Sequence, residues 1–182
     1  VKTWNKELPL LEAKLLAKEV EAKMEAERQK KLAEEKMKSA AADLKILIDD
    51  YKSKAKINDS GLLVYSIKQG NGEKPMQGQT VKLQYEGYFS DGKLFGTNVK
   101  SVDEKFGSFD PIKEQRGFYQ PMPMLYSAEA QMIPGFKEGV FGMTKGEKVF
   151  LYLPSYLAYG EEGRGPIKPN SDLAFIVEML EE

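Results

Sequence analysis

The sequence predicts an α+β domain preceded by a long α-helix. All 16 glycines lie at or after Gly61, and eight of the nine prolines lie at or after Pro75. Trp4 and Tyr51 are the only aromatic residues before Gly61. Helix-forming residues therefore fill the first third of the chain, whereas turn-forming and strand-forming residues fill the rest.

The first segment, residues 1–52, is predicted to be a helical extension. No Gly or Pro interrupts 10–52, where Ala, Leu, Glu, Lys and Met dominate. A helix of this length must bury its apolar residues on its own domain, on a second copy or on another protein. A solvated spacer helix is the alternative that the sequence leaves open. Two apolar stripes have helical spacing: Leu16, Val20 and Met24, then Met37, Ala41, Leu44, Ile48 and Tyr51.

Residues 53–61 are expected to form a linker, and 62–182 a domain that folds without the helix. Apolar residues alternate with polar ones along 81–89, which predicts a half-buried strand, and Asp91-Gly92 then marks a hairpin turn. Pro134 begins a short helix that ends before Gly146. Several antiparallel strands around one short helix imply an α+β domain. The other predicted strands are 62–67, a return strand that starts at 93–95, and 147–153 and 173–179.

Composition excludes several kinds of chemistry. The chain has no Cys and no His, so Cys-ligated zinc, thiol catalysis and imidazole acid–base catalysis are excluded. A net charge of −1 argues against a nucleic-acid partner. No apolar run approaches the roughly 18–20 residues of a membrane helix. Catalysis must therefore depend on carboxylates, hydroxyls, backbone groups or an apolar pocket.

Five sequence blocks, in order, resemble the FKBP-type peptidyl-prolyl isomerases. They are VKLQYEGYFSDGKLF at 81–95, MIPGFKEGV at 132–140, GMTKGEK at 142–148, PSYLAYG at 154–160 and PNSDLAFIVEML at 169–180. Five blocks in order are a far more specific signal than one. The resemblance implies a curled antiparallel sheet wrapped around the short helix, with an apolar proline-binding pocket between them. The charged helical extension also resembles that of some bacterial cell-envelope members of the family.

The resemblance assigns pocket roles residue by residue. It implies that the Ile133 backbone N–H and the Tyr159 hydroxyl bind ligand carbonyls, and that Phe136 replaces the usual Trp at the pocket floor. An apolar pocket suits X–Pro isomerisation, because twisting the amide reduces its charge separation. The implied chemistry requires no cofactor or metal, so none is expected. The implied catalytic residues are Tyr85, Phe95, Ile133, Phe136, Tyr159 and Phe175, and the implied substrate-binding residues are Met132, Ile167, Tyr85, Phe136 and Tyr159.

Three departures from the family pattern stand out. Gly96 follows the hairpin Phe95 where the family has an Asp in the pocket. Pro121 and Pro123 stand nearest to the positions where family members often have two aromatic residues. An insertion at 97–118 is longer than the family loop, and a long loop beside a pocket is usually functional. Its acidic residues match no calcium-loop spacing, so solvated carboxylates are expected: Asp103, Glu104, Asp110 and Glu114.

Two functions follow from these observations. The first is a prolyl isomerase or foldase acting on proline-containing client chains. The alternative is a catalytically weak binding module of the same fold, serving as a subunit of a larger envelope or secretion assembly. The partners expected are client polypeptides and, through the N-terminal helix, a second copy or another protein. A bacterial cell-envelope location is preferred without excluding the cytoplasm, and the Val1 start leaves open an upstream signal or lipid anchor.

Overall fold

The computed structural model describes residues 4–181 and the side chains of residues 7–181. Residues 1–3 and 182, the outer ends of the two predicted segments, lie outside this range. The helices are α1 (Trp4–Lys54), α2 (Lys100–Lys105), α3 (Pro111–Gln115) and α4 (Pro134–Phe141), with a 3₁₀ turn at Ser155–Leu157. The strands are β1 (Lys56–Ile57), β2 (Leu63–Lys68), β3 (Thr80–Phe89), β4 (Leu94–Thr97), β5 (Met122–Leu125), β6 (Lys148–Leu153) and β7 (Leu173–Met179).

One antiparallel sheet contains all seven strands, in the order β1-β2-β6-β7-β3-β4, and β5 also pairs with β3. Strands β4 and β5 therefore follow one another along the same edge of β3. The chain leaves that edge after Thr97 and returns to it at Met122. The segment between the two strands, 98–121, therefore contains most of the predicted insertion 97–118, and it includes α2 and α3. The α+β class with a long preceding helix is confirmed.

The predicted linker 53–61 contributes to the sheet. Helix α1 continues to Lys54, two residues beyond the predicted end, and β1 follows almost at once. A tight turn then reverses the chain, because Gly61 has a φ of 95° and its N–H bonds to the Asn58 carbonyl at 2.9 Å. Strand β1 can therefore pair with β2, with Ile57 opposite Leu63.

Helix α4 packs across the inner face of the sheet and forms the first core. Two glycines allow this close approach: a Cβ at Gly135 would lie 2.5 Å from Leu153, and one at Gly139 would lie 2.4 Å from Leu151. The central strands supply the fully buried partners of α4. This core includes Leu62, Leu83, Phe136, Val140, Met143, Leu151, Leu153, Leu173, Val177 and Met179.

The second half of α1 covers the outer face of the same sheet and forms a second core. Leu44 and Ile48 pack there with strand residues that point away from α4. The Tyr51 ring stacks on Tyr65 at a centroid distance of 5.2 Å and tilts against Phe150 at 5.3 Å. Strand β6 is therefore buried on both faces, which explains its uninterrupted apolar run, VFLYL.

The hairpin between β3 and β4 and the insertion both contact α1. A Cβ at Gly92 would lie 2.1 Å from the Ala41 carbonyl oxygen, and one at Gly107 would lie 2.9 Å from that of Ala33. Phe106 from the insertion is buried and packs its ring 5.7 Å from that of Tyr88. The stripe that begins at Met37 is thus largely buried on the helix's own domain, rather than left for a partner.

The part of α1 before Ala33 makes no such contact, since residues 7–32 are all exposed. Every residue from 7 to 39 except Ala33 is exposed. The upstream stripe stays open, with Leu16 62% and Met24 64% exposed. A chain that began at residue 62 would lack the α1 residues of the second core and keep only the strand residues that they cover. That 62–182 folds without the helix therefore stays a prediction. No helix within residues 4–181 has the length and apolar character needed to cross a bilayer.

Candidate active site

A cavity of about 890 Å³ opens between the inner face of the sheet and the start of α4. Seven of the eight pocket residues predicted from the sequence line it. Its size falls within the range of ligand-binding sites, and most of its wall is apolar or aromatic. The predicted residues that the structure brings together there are Tyr85, Phe95, Met132, Ile133, Phe136, Tyr159 and Phe175.

Three phenylalanines in edge-to-face contact form the floor. The Phe136 ring lies 5.2 Å from that of Phe175 at 76°, and Phe175 lies 5.6 Å from Phe95 at 87°. Phe136 is 2% exposed and sits in the first turn of α4, where Pro134 begins the helix. Edge-to-face geometry fixes the rings relative to one another, so the floor is rigid and apolar.

The polar groups at the rim are free to bind a ligand. The Ile133 N–H forms no hydrogen bond to another described residue, whereas its carbonyl accepts one from the Lys137 N–H at 3.1 Å. The Tyr159 hydroxyl likewise has no partner among residues 7–181, although the Tyr159 carbonyl accepts from the Gly163 N–H at 3.2 Å. No fully buried side-chain polar atom in the described part of the chain lacks a partner. Solvent therefore reaches the Tyr159 hydroxyl, which is available to a bound carbonyl.

Two hydrogen bonds fix the backbone of Tyr85, whereas its hydroxyl forms none with residues 7–181. Its N–H donates to Asn98 Oδ1 at 2.9 Å, and its carbonyl accepts from Thr97 Oγ1 at 2.6 Å. Asn98 also donates to the Leu83 carbonyl at 2.9 Å and to the Gln120 carbonyl at 3.1 Å. One buried amide thus replaces the missing strand partner of β3 between β4 and β5. Burial, then the neighbouring Tyr159 and Asp103, raises the pKa of the Tyr85 phenol, which stays a donor at neutral pH.

The amino-acid sequence of this site matches a known family model. The model described as FKBP-type peptidyl-prolyl cis-trans isomerase matches residues 71–180, which contain α4 and the whole cavity wall. The chain belongs to the FKBP-type peptidyl-prolyl cis-trans isomerase family. The absence of Cys and His is compatible with this family, because the cavity offers a ligand aromatic rings, a backbone N–H and hydroxyl groups.

The similarity to individual family members extends over almost the whole chain, including the N-terminal helix. The FKBP-type peptidyl-prolyl cis-trans isomerase FkpA of Escherichia coli K12 is 31% identical over 177 residues, or 93% of this chain and 58% of the relative. The peptidyl-prolyl cis-trans isomerase Mip of Chlamydia trachomatis is 32% identical over 184 residues, covering 100% of this chain and 66% of the relative. The crystal structure of E. coli FkpA superposes with a TM-score of 0.54, covering 93% of this chain and 70% of that one. The chain thus spans a little over half the length of the FkpA relative.

Ile167 differs from the sequence-based expectation for an FKBP pocket. It is 6% exposed and belongs to the inner core, and it is not among the residues that line the cavity. Its N–H and carbonyl exchange hydrogen bonds with Arg164 at 2.9 and 2.8 Å. This two-residue bridge turns the loop so that Arg164, rather than Ile167, reaches the cavity rim.

Sequence reasoning missed part of the FKBP cavity wall. Neither Pro121 nor Pro123 lines the cavity; Met122 between them does, because β5 pairs Pro123 with Lys82 and Met122 with Leu83. The alternation of β5 could have identified Met122. The loop and rim residues carry no periodic signal, and only their nearness to the predicted blocks marks them: Ala128, Glu129, Ala130, Gln131, Lys137 and Arg164.

Three of the four acidic residues of the insertion bind other residues of the insertion. Asp103 is 2% exposed and accepts hydrogen bonds from the Tyr119 hydroxyl at 2.7 Å and the Ser108 hydroxyl at 2.8 Å. Asp110 caps α3 through the Ile112 N–H at 2.8 Å. Glu114 forms an ion pair with Lys100, and Glu104 is exposed. Asp103 is therefore the structural centre of the insertion, which differs from the solvated loop expected there.

Proposed function

We propose that the protein is a peptidyl-prolyl cis-trans isomerase that acts on X–Pro bonds of client polypeptides. The observation that carries this proposal is the aromatic-floored cavity with a free N–H at Ile133 and a free hydroxyl at Tyr159. The proline ring would pack against Phe136, while the two donors bind the flanking carbonyls. Membership of the family supports the same activity.

This site would lower the barrier to rotation without covalent chemistry. The planar X–Pro amide is polar because of resonance, and its barrier of about 20 kcal/mol reflects the loss of that resonance. An apolar floor disfavours the polar planar form relative to the twisted one. Fixed donors also orient the bound peptide, so that rotation occurs in one geometry.

A protease-coupled isomerisation assay on an Ala-Leu-Pro-Phe peptide tests this activity. Turnover well above the uncatalysed rate supports the proposal. Peptide binding without turnover would favour the alternative, a binding module of the same fold held in a larger assembly. Three features that depart from the family pattern favour that alternative: Gly96, the Pro-rich segment of Pro121 and Pro123, and the insertion.

We also propose that the exposed first half of α1 binds a second copy of this chain or another protein. Residues 7–32 would span about 39 Å at 1.5 Å per residue. A helix that is surrounded by water has little stability of its own, because most helical stability in proteins comes from packing. The large apolar side chains in that span are all exposed: Leu8, Leu10, Leu11, Leu15, Leu16, Val20, Met24 and Leu32. Light scattering on the full chain and on Leu16→Glu/Met24→Glu tests this proposal. An unchanged monomer mass, with no partner retained from a native lysate, would make the helix a spacer.

A bacterial cell-envelope location is proposed with this activity. The N-terminal helix resembles the extension of envelope members, and the similarity to FkpA extends over 93% of the chain. Fractionation of the native host with an antibody against this chain tests the location. Recovery only with cytoplasmic markers would contradict it.

A further inference from the structure

The edge of β3 has a gap between its two partner strands, and this gap falls at the cavity. Strand β4 pairs with β3 as far as Glu86, which lies opposite Thr97, and β5 pairs with β3 as far as Leu83. Tyr85 lies between these two stretches, and it is the residue of β3 that lines the cavity. A wall residue of the proposed active site therefore lies where no strand continues the sheet on that side.

Two consecutive side chains take the place of the missing strand at Tyr85. In an antiparallel sheet the N–H and the carbonyl of one residue point to the same side. In Tyr85 both point to the gap, because the N–H donates to Asn98 Oδ1 at 2.9 Å and the carbonyl accepts from Thr97 Oγ1 at 2.6 Å. The pairing of Tyr85 with Val177 on β7 therefore uses no hydrogen bond of Tyr85 itself, and the two side chains fix its backbone.

Asn98 uses most of its hydrogen-bonding capacity at this gap. Besides accepting from Tyr85, its amide donates to the Leu83 carbonyl at 2.9 Å and to the Gln120 carbonyl at 3.1 Å. An Asn side chain can make four such bonds, so three of them are in use. One amide thus ties two residues of β3 to the end of the insertion. A carboxylate in its place would offer no donor to the two carbonyls, and an apolar side chain would offer nothing to any of the three groups.

Buried polar side chains are concentrated at this point of the fold. Tyrosines apart, the buried polar or charged side chains of the described chain are Thr97, Asn98 and Asp103, all within the insertion at 97–118. Burying a polar group costs free energy unless it is hydrogen-bonded, so an apolar side chain is the simpler way to fill a core position. Asp103 binds within the insertion, whereas Thr97 and Asn98 both bind the backbone of Tyr85. A function in holding Tyr85 accounts for two polar side chains in this place.

We propose that Asn98 is a positioning residue for the reaction, which sets where the Tyr85 phenol lies in the cavity wall. Asn98 itself does not line the cavity, so it acts through Tyr85 and not on the substrate. Movement of the Tyr85 backbone would carry the ring and its hydroxyl with it, and a displacement of about 1 Å in an active site can cost about 100-fold in rate. This role rests on the proposed isomerase function, and it adds to the site a residue from outside the cavity.

The kinetic test compares variants of the full chain on the Ala-Leu-Pro-Phe peptide, at a temperature at which each variant is folded. Asn98→Ala should lower kcat/KM by about tenfold, and Thr97→Val, which removes only the bond to the Tyr85 carbonyl, by about threefold. Leu44→Ala is the control for lost stability, because Leu44 belongs to the second core whereas Tyr85 packs against the first. This control should change kcat/KM by less than about twofold.

A double-mutant cycle with Tyr85→Phe identifies the residue through which Asn98 acts. If Asn98 positions the Tyr85 hydroxyl, Asn98→Ala should cost less than about threefold in the Tyr85→Phe background, because the group that it positions is already gone. Equal losses in the two backgrounds would overturn the proposal. Should Asn98→Ala not fold, Thr97→Val takes its place in the cycle and decides by the same criterion.

A fluorine signal reports on Tyr85 without any turnover. With 3-fluorotyrosine in place of Tyr85, the fluorine resonance should be shifted or broadened by Asn98→Ala and left unchanged by Leu44→Ala. A resonance that Asn98→Ala does not change would overturn the proposal even if kcat/KM falls. If the unsubstituted chain isomerises no peptide, the proposed activity fails, and the fluorine signal alone then decides whether Asn98 positions Tyr85.

Discussion

The ring of Phe136 meets the ring of Phe175 edge-on, with 5.2 Å between the centroids and 76° between the planes. Phe136 comes from the first turn of α4 and Phe175 from β7, so this contact joins the helix to the centre of the sheet. The same two rings form the cavity floor. Stability and binding should therefore depend on one contact.

Phe136→Ala should lower both stability and peptide binding. Removing a buried ring leaves a cavity, and such changes cost about 3–5 kcal/mol of the free energy of unfolding. Urea denaturation measures the loss. Phe118→Ala is the matched control, because Phe118 is 58% exposed and its ring should contribute little. Equal midpoints for the two variants would show that Phe136 is not packed as described.

Tyr159→Phe should weaken peptide binding while leaving stability unchanged. The Tyr159 hydroxyl has no partner among residues 7–181, so its removal breaks no hydrogen bond in the described fold. One lost hydrogen bond to a ligand should cost about 0.5–1.5 kcal/mol of binding free energy. Isothermal titration with a proline peptide measures this loss.

Tyr156→Phe is the control for that experiment, three residues earlier in the chain. Its hydroxyl donates to the Ser60 carbonyl at 2.7 Å and does not line the cavity. Tyr156→Phe should therefore leave peptide affinity unchanged. If both variants bind like the wild type, the carbonyl-binding role predicted for Tyr159 is wrong.

Sequence patterns predicted the inner face of this fold better than its outer face. Tyr85, Phe95 and Phe175 lie on predicted strands and within motif blocks, and the structure brings them together at the cavity. The burial of Phe150 on the opposite face was not predicted, because period-two reasoning assigns one face of a strand to solvent. Only the return of α1 onto that face, a contact distant in sequence, buries it.

Sequence patterns also failed to predict the helices of the insertion and the course of the loop at the cavity rim. Helices α2 and α3 have six and five residues, too few for a helical period to be recognised. The family resemblance places Ile167 in the cavity, but the loop between two motif blocks turns at a bridge between Arg164 and Ile167, and Ile167 is buried in the inner core. Local backbone geometry of this kind is not encoded in residue spacing.

Leu44→Ala should destabilise the domain although Leu44 belongs to the N-terminal helix. Leu44 is 5% exposed in the second core, and Leu→Ala changes at buried sites cost about 2–5 kcal/mol. Leu16→Ala, on the same helix and 62% exposed, should change the free energy of unfolding of the monomer by less than about 0.5 kcal/mol. Chemical denaturation at low protein concentration measures both. Equal effects would mean that the whole helix is solvated or the whole helix is packed.

Truncation locates the boundary of the cooperative unit. A chain of residues 30–182 keeps Ala33 against Gly107 and all of the second core, so it should unfold in one transition close to that of the full chain. A chain of residues 62–182 keeps the inner core and the cavity but exposes Tyr88, Phe150 and Ile176, which Ile48 and its neighbours cover in the full chain. Its melting temperature should fall by more than about 10 °C, at roughly 4 °C per kcal/mol for a domain between the 100-residue and 150-residue ranges. Circular dichroism with heating measures both melts, and 1-anilinonaphthalene-8-sulfonate fluorescence should rise only for 62–182, because only that chain exposes the outer face. A single cooperative transition of 62–182 at the lower temperature would confirm that it folds independently, and its absence would contradict that prediction. Matching melts without added dye binding would show that the packing of α1 adds little to the stability of 62–182.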